Sequence, residues 1–347
     1  MGPISGTITV TPSYANAGGG PACTGPTQTF TITVNPAPNV TVPANQVYCN
    51  GTTVTTGTLN FTSTNTPAGQ TTFTWTNSNV AIGLGASGAG NSLPTFTTTN
   101  ATLGSISGTI TVTPIYTNAG GGPACTGTTQ AFTITVNPAP NVAVPANQIY
   151  CNGTTVTTGT LNFTSTNTPA GQTTFTWTNS NVAMGLGASG AGNSLPTFTT
   201  TNATLGPISG TITVTPIYTN AGGGPACSGP TQTFTITVNP TPNVAVPANQ
   251  IYCNGTTVTT GTLNFTSTNT PAGTTTFTWT NSNVAIGLGA SGAGNSLPTF
   301  TTTNATLGPI SGTVTVTPSY TNVGGGPACT GPTQTFTITV NPTPALV

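Results

Sequence analysis

Apolar and polar residues alternate one for one along most of this chain. Leu59 and Phe61 are interleaved with Thr58, Asn60 and Thr62, and Phe73 and Trp75 with Thr72, Thr74 and Thr76. Ile110 and Val112 stand between Thr109, Thr111 and Thr113, and Phe132, Ile134 and Val136 enclose Thr133 and Thr135. A period of two places one set of side chains on each face of an extended strand, so each run has one apolar face and one Thr face. That is the pattern of antiparallel sheets packed on one side and solvated on the other. Gly, Pro and Asn punctuate the runs at intervals of roughly eight to twelve residues, which predicts short strands and turns and leaves no room for long helices.

The pattern also repeats on a larger scale, with a period of 102 residues. Tyr48-Cys49-Asn50-Gly51 returns as Tyr150-Cys151-Asn152-Gly153 and Tyr252-Cys253-Asn254-Gly255, and Pro-Ala-Cys returns at Cys23, Cys125, Cys227 and Cys329. Asn35-Pro36, Asn137-Pro138, Asn239-Pro240 and Asn341-Pro342 close successive copies. These divide the chain into 1–35, the last third of a repeat; three whole repeats at 36–137, 138–239 and 240–341; and 342–347, the start of a following linker or repeat. The chain reads as a window cut from a longer array. About seven short strands in about 100 residues predict an all-β fold of tandem immunoglobulin-like β-sandwiches, with Trp75, Trp177 and Trp279 as core anchors. The Asn-Pro-(Ala/Thr)-Pro-Asn joints are expected to be extended and semi-rigid, because Pro fixes its own φ and restricts the residue before it. At a strand rise of ~3.3 Å per residue, three such units predict a rod of roughly 110–130 Å.

Composition narrows the function. The 347 residues include no Lys, Arg, Asp, Glu or His, with 45 Gly, 31 Pro and 7 Cys. General acid–base catalysis near neutral pH needs one of the missing types, and nucleophilic Ser or Cys needs one as its activating partner, so an enzyme is not expected. A carboxylate cage for Ca²⁺ and a His-containing Zn²⁺ site cannot be built. Binding to nucleic acid or to anionic lipid requires Lys and Arg, and the apolar runs are far shorter than the ~18 residues a spanning helix needs. No cofactor, nucleic acid or direct membrane insertion is therefore expected.

Each whole repeat has two Cys, 76 positions apart. The spacing predicts intradomain bridges Cys49–Cys125, Cys151–Cys227 and Cys253–Cys329, each pinning one end of a sandwich and contributing about 4–5 kcal/mol in the chain-entropy model. Buried free thiols and bridges between units or chains are the alternatives. Cys23 is then unpaired by truncation. Persistent disulfides place the chain outside the cytosol. Gly83-Leu84-Gly85-Ala86-Ser87-Gly88 matches a dinucleotide-binding string, but Asn91-Ser92-Leu93-Pro94 follows in place of a helix and no acidic residue exists, so it reads as a Gly-rich connection between strands. The Thr faces suit solvated strands; they could also bind glycan or ice, or support lateral association of identical chains.

The order of these segments, VYCNGTTVTTGTLNFTST, then TTFTWTNSNVAIGLGASGAGN, then ISGTITVTP, CTG and TFTITVNPTP, resembles the PKD-like, immunoglobulin-fold repeats of large Bacteroidetes cell-surface adhesins of the gliding-motility type. The resemblance implies export to the bacterial cell surface by type IX secretion and a role as stalk or spacer of an extracellular adhesin or filament. Its partners would be neighbouring repeats of the same chain, with surface glycans or identical chains as further candidates.

Overall fold

A computed structural model describes residues 1–67, 70–169, 172–271 and 274–344. The partial repeat forms two hairpins, β1 (Ile4–Val10) with β4 (Gln28–Val34) and β2 (Ser13–Tyr14) with β3 (Cys23–Thr24). The first whole repeat contains β5 (Gln46–Cys49), β6 (Thr53–Val54), β7 (Thr71–Asn77), β8 (Ser87–Ala89), β9 (Phe96–Thr97), β10 (Ile106–Tyr116), β11 (Cys125–Thr126) and β12 (Gln130–Asn137). Its main sheet runs β5-β12-β10-β7-β8, with β11 added to β10. All neighbours are antiparallel except β5, which lies parallel to β12 and pairs Ile134 with Gln46 and Asn137 with Cys49. The same strands recur at the same spacing in the other two whole repeats, so the chain is all-β with three repeated β-sandwich units.

The second layer is thinner. The Leu59–Phe61 run, expected as a strand, makes only single bridges on either side, Thr41 with Thr62 and Asn60 with Ser92, beside the two-stranded β6–β9 ladder. Its partners are short and interrupted by Pro94 and the Asn-Pro joint, so the ladder cannot lengthen. Alternation still holds, because Leu59 and Phe61 are buried and Asn60 and Thr62 are exposed. Phe61 closes the sandwich against the main sheet, its ring 6.0 Å from Phe73 and 6.4 Å from Phe132. Trp75 joins Ile110, Val112, Ile134 and Val136 in this core and is 3% exposed, as are Trp177 and Trp279 in theirs.

Two local features have direct causes. Pro114 lies within β10 where its missing N–H leaves no partner unpaired, because pairing to β12 ends at Val112 and pairing to β11 begins at Ile115. Of the segment from Gly83 to Gly88, expected as a Gly-rich connection between strands, residues 83–86 connect, while Ser87 and Gly88 already belong to β8. Asn79 caps the single 3₁₀ turn Val80–Ile82, and Gly83 ends it at φ +93°. A Cβ at Gly83 would also overlap the Thr97 carbonyl oxygen.

By packing, the chain divides into two compact units. The first comprises Met1–Asn141, Ser165–Thr173 and Ile217–Pro230, and the second the remaining stretches. The division passes through the second repeat: loops from one end of it group with the first repeat.

The only side chains able to titrate are those of Tyr and Cys. Burial pushes the Tyr48 and Tyr150 phenols above their ordinary value of 10.0. A phenol whose folded value is raised stabilises the fold fully below its unfolded value, and that contribution is lost as pH rises through the folded value. With the free thiols alkylated, the denaturation midpoint should therefore be flat from about pH 5 to pH 9 and fall above about pH 10. A midpoint that moves between pH 5 and 9 would contradict this.

Candidate functional site: the joint between consecutive repeats

Cys49 is bonded to Cys227, and Cys151 to Cys329. This corrects all three intradomain pairs expected from the sequence, Cys49–Cys125, Cys151–Cys227 and Cys253–Cys329. The reason lies in strand register. Cys49 sits opposite Asn137 at the end of β12, and β12 returns along β10 so that Val136 faces Ile106. Cys125 faces Tyr116 at the other end of β10. Ten residues of extended strand separate those ends, about 33 Å, whereas a disulfide needs Cα atoms within about 7 Å. The bonded pairs have Cα atoms 5.5 Å apart. Cys23, expected to be the one unpaired thiol, is unbonded, and so are Cys125 and Cys253.

Each bridge is the centre of a polar and apolar joint contained in one compact unit. In the first unit the joint starts at the closing Asn of repeat 1. Asn137 is fully buried; its Oδ1 accepts from Ser105 Oγ and from Asn220 Nδ2, both at 2.9 Å, and its Nδ2 lies 3.7 Å from Cys227 Sγ. Tyr218, facing Cys227 across a strand pair, is buried and donates its hydroxyl to the Thr168 carbonyl at 3.1 Å. The Leu103 carbonyl accepts from Thr168 N at 2.8 Å and from Asn167 Nδ2 at 3.1 Å. Gly224 approaches Val47 so closely that a Cβ there would stand 2.6 Å from the valine side chain.

The second unit repeats this arrangement one period on. Leu205 carbonyl accepts from Thr270 N and Asn269 Nδ2, Asn322 Nδ2 donates to Asn239 Oδ1 at 2.7 Å, and Gly326 lies against Ile149. Burial registers the contact: Leu103 and Leu205, whose carbonyls accept from Thr168 and Thr270 of the following repeat, are 48% and 49% exposed. The Asn-Pro joint itself is held by Asn39 and its equivalents. Asn39 N donates to Asn65 Oδ1, and Asn39 Oδ1 accepts from Thr64 N and Ser63 Oγ.

Sequence reading expected the Asn-Pro segment to act as a joint, but it gave bridges to Cys125 and Cys253, which are unbonded, and gave no role to Leu103, Tyr218 or Asn220. A signal was present. Leu103, Leu205 and Leu307 are unchanged across repeats although each sits in a polar Ala-Thr-Leu-Gly loop with no strand alternation to explain it.

A second recurring feature is a groove beside each core Trp, of about 430, 410 and 500 Å³ in the three repeats, lined in the first by Trp75, Gly88, Asn91 and Ser92. It exists because β8 brings Gly88 opposite Trp75, and a Cβ at Gly88 would meet the indole ring. The Trp75 Nε1–H is buried there without an acceptor.

Among the described residues no group of three or more potential metal ligands comes together, and no helix is long and apolar enough to cross a membrane. No protein-family model matches the chain, and no curated protein is similar to it in sequence. Solved structures of tandem domains are similar at low identity. Titin domains I67–I69, in an E-to-A variant, match at 15% identity with a TM-score of 0.41, over 89% of this chain and 99% of that one. Mouse cadherin-23 EC22–24 matches at 11% identity and 0.37, over 88% and 99%, and Drosophila N-cadherin EC1–4 at 14% identity and 0.32, over 98% and 84%.

Proposed function

We propose that this chain is a stretch of extracellular stalk, built from tandem disulfide-linked β-sandwiches of 36–137, 138–239 and 240–341, that holds a binding element away from a bacterial surface. The observation that carries this reading is the joint. Bridges Cys49–Cys227 and Cys151–Cys329 tie consecutive repeats covalently, and buried Asn137 and Asn239 tie them by hydrogen bonds, so the investment of sequence is in the connection between domains rather than in a reactive centre. Disulfides that persist require an oxidising compartment, and the absence of Lys and Arg leaves trypsin-like proteases no cleavage site. The resemblance to repeats of Bacteroidetes adhesins supports the surface assignment and the type IX export route. Small-angle scattering of the oxidised chain tests the stalk. A monomeric profile with a maximum dimension near 110–130 Å is expected at a strand rise of ~3.3 Å per residue. A compact profile, or one whose size grows with concentration, would exclude it, the latter in favour of lateral fibre assembly.

One observation favours a second reading as a binding surface. The outer face of the main sheet is almost entirely hydroxyl: Thr76 faces Thr111, Thr74 faces Thr113, and Thr109 faces Thr133 across adjacent strands. Such a regular, uncharged array could order water or engage glycan. Thermal hysteresis or glycan-array signal from the whole chain would establish this reading, and silence in both would remove it.

A further inference from the structure

The two bridges do more than fix the angle of a joint. Cys49–Cys227 encloses 178 residues of chain and Cys151–Cys329 another 178, so the two loops interleave and overlap between Cys151 and Cys227. Every peptide bond of the joint between the first two whole repeats lies inside the first loop. Every bond of the joint between the second and third lies inside the other. Had the bridges closed within repeats, each joint would have lain outside any loop, and one cut there would have parted the chain. We propose that the interleaved bridges make the array covalently redundant at its joints, so that a strand break between repeats, by protease or by force, leaves the fibre in one piece.

The consequence grows with repeat number. Wherever the 102-residue period and the 178-residue bridge both continue, the route from Cys227 to Cys253 passes through 26 residues and the next bridge then leads two repeats on from the last. A second, equivalent track begins at Cys151 and Cys329. The two run side by side through alternate joints, and each spans the joints that the other uses as backbone. Breaks near the joints have an accessible place to occur, because Ala44, Ala146 and Ala248, in the extended segments after each Asn-Pro-x-Pro, are all exposed. The use of this redundancy in a surface fibre rests on the stalk reading above, but the redundancy itself follows from connectivity alone.

The missing basic residues supply a clean test. Trypsin cuts after Lys or Arg, and the chain contains neither. A single lysine therefore creates a single site. In Ala44→Lys the site precedes Cys49 and lies outside both loops; in Ala146→Lys it lies only inside Cys49–Cys227; in Ala248→Lys it lies only inside Cys151–Cys329. Each full-length variant would have its free thiols blocked and then be digested in urea without reductant, so that folding does not decide whether the bond is cut. Intact mass and non-reducing electrophoresis follow. We expect Ala44→Lys to separate into two fragments at once. Ala146→Lys and Ala248→Lys should remain single species, heavier by one water, until reductant splits each in two. Separation of the latter two variants without reductant would overturn the proposal and restore bridges within repeats. That outcome would leave the scattering result for the stalk untouched, so the two readings fail separately.

Discussion

Reducing the two disulfides will lengthen the fully stretched chain about 2.4-fold. Held by its ends, the reduced chain offers all 346 residue steps, about 1,250 Å at the ~3.6 Å limit per residue. The oxidised chain cannot extend that far, because tension follows the shortest covalent route. That route has 48 steps from Met1 to Cys49, crosses to Cys227, runs backwards through 76 steps to Cys151, crosses to Cys329 and ends with 18 steps to Val347. Its 142 steps span about 510 Å. Single-molecule stretching in optical tweezers separates the alternatives by contour length alone. Bridges within repeats would leave only 118 steps, about 425 Å, and Cys49→Ser, which removes one bridge, should give 168 steps, about 600 Å. An oxidised contour length matching the reduced one would show that the bridges are absent in solution. The route also predicts which parts stay folded. The stretch from Cys151 to Cys227, most of the second repeat, is loaded against the direction of synthesis, and most of the first repeat, from Asn50 onward, is excluded from load once Cys49–Cys227 is taut.

Much of this architecture could be read from the residues, and what could not has a common cause. The alternation of Thr with Phe, Ile and Val located β7, β10 and β12, and the 102-residue period located the copies. The buried position of Trp75 follows from its place in an alternating run. The disulfide pairing was misread because 76 residues of separation look shorter than 178, yet proximity along the chain says little once an eleven-residue strand intervenes. The register argument was available in principle. A hairpin of β10 and β12 places its connector, with Cys125, at the end opposite Asn137, and the parallel partner β5 lies beside the last four residues of β12, so that Cys49 ends level with Asn137. The joint was harder to read. Leu103 accepts from Asn167 of the next copy, and Asn137 and Tyr218 each add a partner from the neighbouring copy to one in their own, so the cross-repeat part of their chemistry is invisible in any single copy.

Replacing Gly127 by alanine should cost the first repeat about 3 kcal/mol or more, among the larger effects of a single substitution. Gly127 follows β11 and donates its N–H to the Pro114 carbonyl at 3.0 Å. A Cβ at this position would overlap the Pro38 carbonyl oxygen and stand 2.8 Å from the carbonyl carbon. Neither side can yield. Pro38 belongs to the Asn-Pro joint, where φ is fixed by the ring, and the next residue, Asn39, is held at 2.9 Å by Asn65 and at 3.0 Å by the Thr64 amide. Gly229 against Pro140 and Gly331 against Pro242 repeat the contact, so the requirement is built into every copy. Calorimetry of the oxidised chain should show a component of roughly one repeat moved down by about 10 °C or more, since a domain of this size shifts about 4–8 °C per kcal/mol. Gly85→Ala is the matched control in the same repeat, because a Cβ there meets nothing within 4 Å and the backbone needs no positive φ. It should leave the melt in place or raise it slightly by restricting the unfolded chain. Equal behaviour of the two variants would mean that the joint does not pack against β11, and the account of a rigid, glycine-gated linker would fall with it.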